Sequence, residues 1–384
     1  MITRVFLLVL DGLGIGALPD AARYGDADAD TLSHLCEAAG GIRLPNLENL
    51  GLGHLGNFLG VRPITQPEGC FGRLGFASRG KDSLAGHWEI ACWPLEEDSG
   101  VGSEFTSALA ELVEGAIGRK TLGNRVLSLL EEIDESVAEH RRSGSPIVWI
   151  DDVGAVHLAA QDTVISAEEL YRMARDIRRA AKARFPVLRV IAHPFNRHAG
   201  SLASEERRRH FATEPQGPTL LDQLSRASQL VIGVGKVGDL FSGRGITRST
   251  AVSGYREALD EVLGLFGRVP RGLLFTNLEI LSPGLEETVH ALQEVDRRLI
   301  DFREKLKTGD VLMITADHGY DMSRPIPGHS REYAPLLIIG PRLARGVNLG
   351  TRSTAADLGQ TIGEALGAAR MPVGDSFLNS LRAG

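Results

Sequence analysis

The chain has 384 residues, with 42 lysines and arginines against 49 aspartates and glutamates and a formal net charge of −7. That balance argues against a general nucleic-acid or anionic-membrane surface, which needs an excess of Lys and Arg, but leaves room for a small anionic ligand in a locally basic pocket. The three cysteines, Cys36, Cys70 and Cys92, are odd in number and share no CxxC spacing. Neither a disulfide framework nor a thiolate zinc site is indicated, and a reducing, cytoplasmic setting fits best.

In chain order, short apolar runs alternate with segments of helical spacing. The first run, "RVFLLVL" (4–10), stops at Asp11 and is too short for a secretory core or a membrane span. It reads as a buried strand. Helical spacing follows in "SALAELVEGAIG" (107–118) and "NRVLSLLEEIDESVAEHRR" (124–142), then a strand in "PIVWI" (146–150) and a helix in "SAEELYRMARDIRRAAKAR" (166–184). Further strands are expected at "VLRVIA" (187–192), "QLVIGV" (229–234) and "GLLFTNL" (272–278), a helix at "ETVHALQEVDRRLIDFREKL" (287–306), and strands at "DVLMITA" (310–316) and "PLLIIG" (335–340). Continuous rather than alternating apolarity marks strands buried on both faces, and their alternation with helices predicts an α/β fold with a largely parallel sheet. The length suggests two domains. The candidate hinges are "PLEEDSGVGS" (94–103) and "EPQGPT" (214–219), with a basic-leaning insert between them.

Chemistry gathers at the strand ends, where open α/β sheets keep their ligand crevice. Asp11, before "GLGIGALPD", is placed either for a metal or as a turn residue; Gly12, Gly14 and Gly16 do not have the dinucleotide fingerprint spacing. The run "VLMITADHGYD" repeats the pattern with Asp317 and His318, and His329 follows eleven residues after His318 in "PGHSREYAPLL". Adjacent oxygen and nitrogen ligands at a strand end, with a third candidate nearby, suit a divalent ion of the zinc or manganese type. In "GKDSLAGHWEI" (80–90), Ser83 opens a helix. It is either a capping hydroxyl or, beside a metal and a positive helix end, a nucleophile.

Taken with "VGKVGDLFSGRGIT", "DLGQTIGEALG" and "MPVGDSFLNSL", these motifs resemble, end to end and collinearly, the phosphopentomutase family of the alkaline phosphatase superfamily. The resemblance implies an α/β core (1–94 and 216–384) interrupted by a smaller α/β cap or substrate domain (95–215). It further implies two divalent metals, usually manganese, and transfer of phosphate between the C1 and C5 oxygens of ribose or deoxyribose through a phosphorylated residue. By motif, Ser83 takes that residue's place, Asp11, Asp317 and His318 the ligands of one metal, and His329 a ligand of the second. Lys236 and Arg208 take the place of substrate cations, with Arg207 and Arg209 beside Arg208.

The chain departs from the family in three places. Ser83 stands where threonine is usual. After "FTNL" the family's aspartate and, five residues on, its histidine are missing, and Glu279, Glu286 and His290 are the nearest stand-ins, which predicts one well-formed metal site and a second that is incomplete. In the cap, "IDDVG" replaces "TSAD", and "HPF", with His193, replaces "RPF". The expected function is a metal-dependent, phosphopentomutase-like isomerase acting on a small phosphorylated sugar. The alternatives are a phosphatase or phosphotransferase of altered substrate with a single metal, and a non-catalytic binding descendant.

Overall fold

A computed structural model describes residues 1–96, 105–127, 134–181, 187, 189–196, 207–282, 284–324 and 328–382. In chain order the main elements are β1 (Arg4–Leu10), α1 (Thr31–Ala38), α2 (Pro45–Leu50), β2 (Cys70–Leu74), α3 (Ser83–Ile90), α4 (Ser107–Ile117), β3 (Leu122–Val126), α5 (Asp134–Ser143), β4 (Ile147–Ile150), β5 (Val156–Gln161), α6 (Ala167–Ala181), β6 (Arg189–Phe195) and β7 (Arg209–Ala212). They continue with α7 (Leu220–Arg226), β8 (Leu230–Val234), α8 (Val237–Leu240), β9 (Arg248–Thr250), α9 (Tyr255–Leu265), β10 (Gly272–Leu278), α10 (Leu285–Lys305), β11 (Asp310–Thr315), β12 (Gly319–Asp321), β13 (Gly328–Ser330), β14 (Ala334–Ile339), β15 (Asn348–Arg352) and α11 (Ala356–Leu366).

The chain divides into two compact units, one of residues 1–96, 215–238 and 243–384 and one of 97–214 and 239–242. The larger unit holds an eight-stranded sheet in the order β15-β2-β14-β11-β1-β10-β8-β9. Five of its seven neighbour pairings are parallel; only β14, against β11 and β2, runs antiparallel. Every residue of β1, β10 and β11 is buried, as in strands covered on both faces. At the start of β1 and β11, Arg4 and Asp310 are register partners. They form a buried two-pronged ion pair, Nε to Oδ1 at 2.8 Å and Nη2 to Oδ2 at 2.6 Å. Such a pair resists slippage of one strand past the other, because a slip would leave both charges buried and unpaired.

The smaller unit has a five-stranded sheet, β3-β4-β5-β6-β7, with parallel and antiparallel pairings alternating. One face packs on α4 and α6 through Val148, Ile150, Leu158, Val190, Leu112 and Ile177. One expected element needs correction here. Of the helix expected over 124–142, the described residues form α5 from Asp134 onward, while its first residues belong to strand β3. Gly123 and Asn124 adopt φ of 85° and 51°, which no helix accepts, and the strand pairs with β4. Residues 128–133 of that expected helix lie outside the described residues. The three cysteines are free and buried. Among the described residues no helix is long and apolar enough to cross a membrane.

Candidate active site

The parallel register of β1 and β11 pairs Val9 with Thr315, so Asp11 and Asp317, each two residues further on, emerge side by side at the carboxyl edge of the sheet. His318 follows at once. One ligand atom from each of Asp11, Asp317 and His318 lies within 4.8 Å of the others. His318 Nε2 is 3.4 Å from Asp11 Oδ1 and 3.4 Å from Asp317 Oδ2. Its Nδ1 is 2.9 Å from the Gly319 carbonyl oxygen, to which it donates; the ring is thereby oriented with Nε2 toward the carboxylates.

Helix α3 delivers Ser83. Asp82 caps the helix, its carboxylate accepting from the Ala85 amide at 2.9 Å, so the capping role falls to Asp82 and the Ser83 hydroxyl is left for the site. Ser83 Oγ lies 3.1 Å from His318 Nε2 and accepts from Lys236 Nζ at 2.7 Å. Lys236 also pairs with Asp11, which accepts in addition from Asn277 Nδ2 at 3.0 Å. Close approach of α3 to the strand end requires glycine at 86, where a Cβ would stand 2.1 Å from the Asp317 carbonyl oxygen.

Two supporting residues escaped the sequence reading. His87, one helical turn after Ser83, donates from Nδ1 to the Ser83 carbonyl at 2.8 Å and lies 3.2 Å from Asp317 Oδ2. Asn277, the last residue but one of β10, lies directly beside Val9. The i to i+4 spacing of Ser83 and His87 was the one available signal for the first; the second depends on strand order.

Burial pushes the Asp11 carboxyl up, but the Lys236 charge and His318 outweigh it and hold Asp11 well below the usual carboxylate range. Burial and Asp11 raise Asp317, yet His318 and His87 leave it lowered. Burial lowers His318, and the two carboxylates more than reverse this. Asp317 Oδ2 is buried without a hydrogen-bond partner. An orphaned carboxylate oxygen beside a second carboxylate and an imidazole nitrogen is a donor set that fits a divalent ion.

The other expected residues are distributed as follows. The His329 ring centroid lies 4.4 Å from that of His318, but His329 is not part of the converging group. Glu279 is half-buried, whereas Glu286 and His290 lie on α10, with His290 Nε2 3.6 Å from Glu294. No second group of three ligands converges among the described residues. Arg208 is half-buried in the smaller unit, just before β7.

A profile of the metalloenzyme superfamily matches residues 283–370. Curated proteins named phosphopentomutase match nearly end to end: that of Carboxydothermus hydrogenoformans is 41% identical over 386 residues, covering 99% of both chains. That of Desulfitobacterium hafniense (strain Y51) is 39% identical over 389 residues, covering 98% of this chain and 99% of its own. The chain belongs to the phosphopentomutase family. Among solved structures, a Leishmania mexicana phosphoglycerate mutase aligns with a TM-score of 0.49 at 11% identity, covering 98% of this chain and 97% of its own.

Proposed function

We propose that this enzyme interconverts ribose 1-phosphate and ribose 5-phosphate, or their deoxyribose counterparts, by way of a phosphorylated Ser83. The convergence of Ser83 Oγ with Asp11, Asp317, His318 and Lys236 carries the reading, together with the near full-length relatives. Asp11, Asp317 and His318 would hold a divalent ion, manganese by family resemblance, with the Ser83 oxygen beside it. Such an ion supplies Lewis-acid neutralisation of negative charge on the transferred phosphoryl group.

The chain's own groups carry the remaining roles. A sugar hydroxyl attacks the Ser83 phosphate: the new phosphorus–sugar oxygen bond forms as the phosphorus–Oγ bond breaks, and the hydroxyl proton passes to the departing Oγ side. Lys236, donating to Oγ, neutralises charge as that bond breaks, and the N-terminus of α3 adds partial positive charge. Transfer back from the other sugar oxygen regenerates phosphorylated Ser83, so no net phosphate is consumed. Arg208 suits the substrate's phosphate by two-pronged hydrogen bonding, with the smaller unit acting as the substrate domain of a cytoplasmic enzyme.

That one ligand group converges among the described residues favours one companion reading: a phosphotransferase working with one resident ion on an altered sugar phosphate. A single assay separates the two. Purified enzyme with manganese and a sugar bisphosphate primer is given ribose 1-phosphate, and products are resolved by phosphorus NMR. Ribose 5-phosphate supports the mutase, and accumulation of free phosphate overturns it in favour of the companion reading. Ser83→Ala is expected to abolish transfer with Tm nearly unchanged; turnover at the unmutated rate would remove Ser83 from the mechanism.

A further inference from the structure

The donors around Asp11 and Asp317 are shared unevenly between the oxygens of each carboxylate. Asp11 Oδ2 accepts from Asn277 Nδ2 at 3.0 Å and pairs with Lys236, whereas Oδ1 faces His318 Nε2 at 3.4 Å. Asp317 Oδ1 accepts from the Gly12 amide at 3.1 Å, while Oδ2 has no hydrogen-bond partner and lies 3.4 Å from the same His318 Nε2. His87 Nδ1 also stands 3.2 Å from that Oδ2 but gives its proton to the Ser83 carbonyl. Each carboxylate is thus tied down through one oxygen and turns the other toward His318.

Of these ties, the one from Asn277 is not needed by its own strand. Asn277 lies in β10, where every residue is buried, and is itself 1% exposed. A carboxylate only accepts, so the amide NH2 must face Asp11 and the amide oxygen points elsewhere. That Oδ1 is buried with no hydrogen-bond partner. An orphaned acceptor is costly, and a leucine of similar shape would avoid the cost. The main chain is already joined here, because Asp11 N donates to the Leu278 carbonyl at 3.0 Å. That bond fixes the strand end but leaves the Asp11 carboxylate free to turn about its own side-chain bonds. A polar group kept at such a cost calls for an explanation outside the core.

We infer that Asn277 is a positioning residue that restricts Asp11 to offering one oxygen, Oδ1, to a metal ion. The inference rests on the metal reading of Asp11, Asp317 and His318 given above and deepens it. With Oδ2 held back, the chain offers Asp11 Oδ1, Asp317 Oδ2 and His318 Nε2, a compact set of two oxygens and one nitrogen that suits an ion of the manganese type. Lys236 does not hold Asp11 by itself. It also serves Ser83 Oγ, and its flexible stem lets the ammonium move, whereas the amide is fixed by a buried strand. Without the amide, Asp11 can turn and present both oxygens. Calcium is larger, takes more oxygen ligands and readily accepts two from one carboxylate, so the change favours calcium over manganese.

The test is calorimetric titration of the full-length, metal-stripped enzyme with manganese and, separately, with calcium. Asn277→Leu is expected to weaken manganese by about tenfold or more and calcium by less, so that the preference for manganese over calcium falls, while the metal-free Tm does not. Asn277→Ser, which keeps a shorter donor, is expected to shift the preference in the same direction by less, and carries the test if the leucine variant does not fold. Thr276→Val is the control: Thr276 Oγ1 is also buried without a partner, but its side chain points to the other face of the sheet, so the preference should not move. An unshifted preference in the Asn277 variants overturns the inference, whether both affinities fall together or both hold, as does an equal shift in Thr276→Val. If the unmutated chain binds neither ion, the metal reading falls with it; if it binds manganese and the preference does not move, this inference alone falls.

Discussion

Lys236 is the residue on which the charge balance of the site turns. It pairs with Asp11 and donates to Ser83, and with Lys236 removed two neighbouring carboxylates, Asp11 and Asp317, face each other with one imidazole between them. Breaking a buried pair by deleting one partner costs about 3–5 kcal/mol, and a divalent ion can offset the loss. Lys236→Met is therefore expected to lower Tm in the metal-stripped protein and to show a larger Tm gain on adding manganese than the unmutated chain. Its phosphoryl-transfer rate should fall by about 10²–10³; equal Tm gains in both proteins would remove Lys236 as the counter-charge of Asp11. A second residue supplies a pH signature. His34 Nδ1 lies 2.7 Å from Asp321 Oδ2, and although burial pulls His34 down, the bond and charge of Asp321 leave it above its ordinary value. A raised histidine contributes its stability below its unfolded value near about 6.5 and loses it as pH rises through the folded value. The Tm deficit of His34→Gln should thus be largest near pH 6 and shrink toward pH 9; a pH-independent deficit would contradict the ion pair.

At the scale of elements, the site is made by the meeting of a helix start with two strand ends. Asp82 caps α3, which frees Ser83, and the missing side chain at Gly86 lets the helix lie against the Asp317 backbone. The motif "GKDSLAGHWEI" thus divides into a cap, the hydroxyl proposed to react, a close-packing glycine and a histidine that bonds the Ser83 carbonyl beside Asp317. Gly86→Ala keeps helix propensity but must push α3 away from the strand end, because the obstructing atoms are backbone. It is expected to weaken manganese binding by at least about tenfold, in the range seen for loss of supporting groups around metals, with the helix retained by circular dichroism. Undiminished metal affinity would mean that the contact relaxes without moving Asp317. The register of β1 and β11, pinned by Arg4 and Asp310 at their far ends, performs the complementary task for the two carboxylates.

For the whole molecule, the one ligand group that converges among the described residues predicts a metal content of one ion per chain. Elemental analysis of enzyme purified with manganese is expected to give that ratio, with chelation abolishing transfer; two tightly held ions would require a second site built from other residues. The sequence by itself determined the strand cores, the family, and the chemical identity of Asp11, Ser83, Lys236, Asp317 and His318, because buried parallel strands are continuous apolar runs and their polar ends stand out against them. It did not reveal β3, where positive φ at Gly123 and Asn124 overrides helical spacing, nor the short polar strands such as β7 that exist only by pairing. Tertiary structure alone decided that Lys236 reaches both Asp11 and Ser83, that His87 and Asn277 lie against Asp317 and Asp11, and that His157 stands between Asp151 and His193. Those contacts join residues from separate strands and helices, and their distances are set by sheet register and helix packing, quantities that no local stretch of chain encodes.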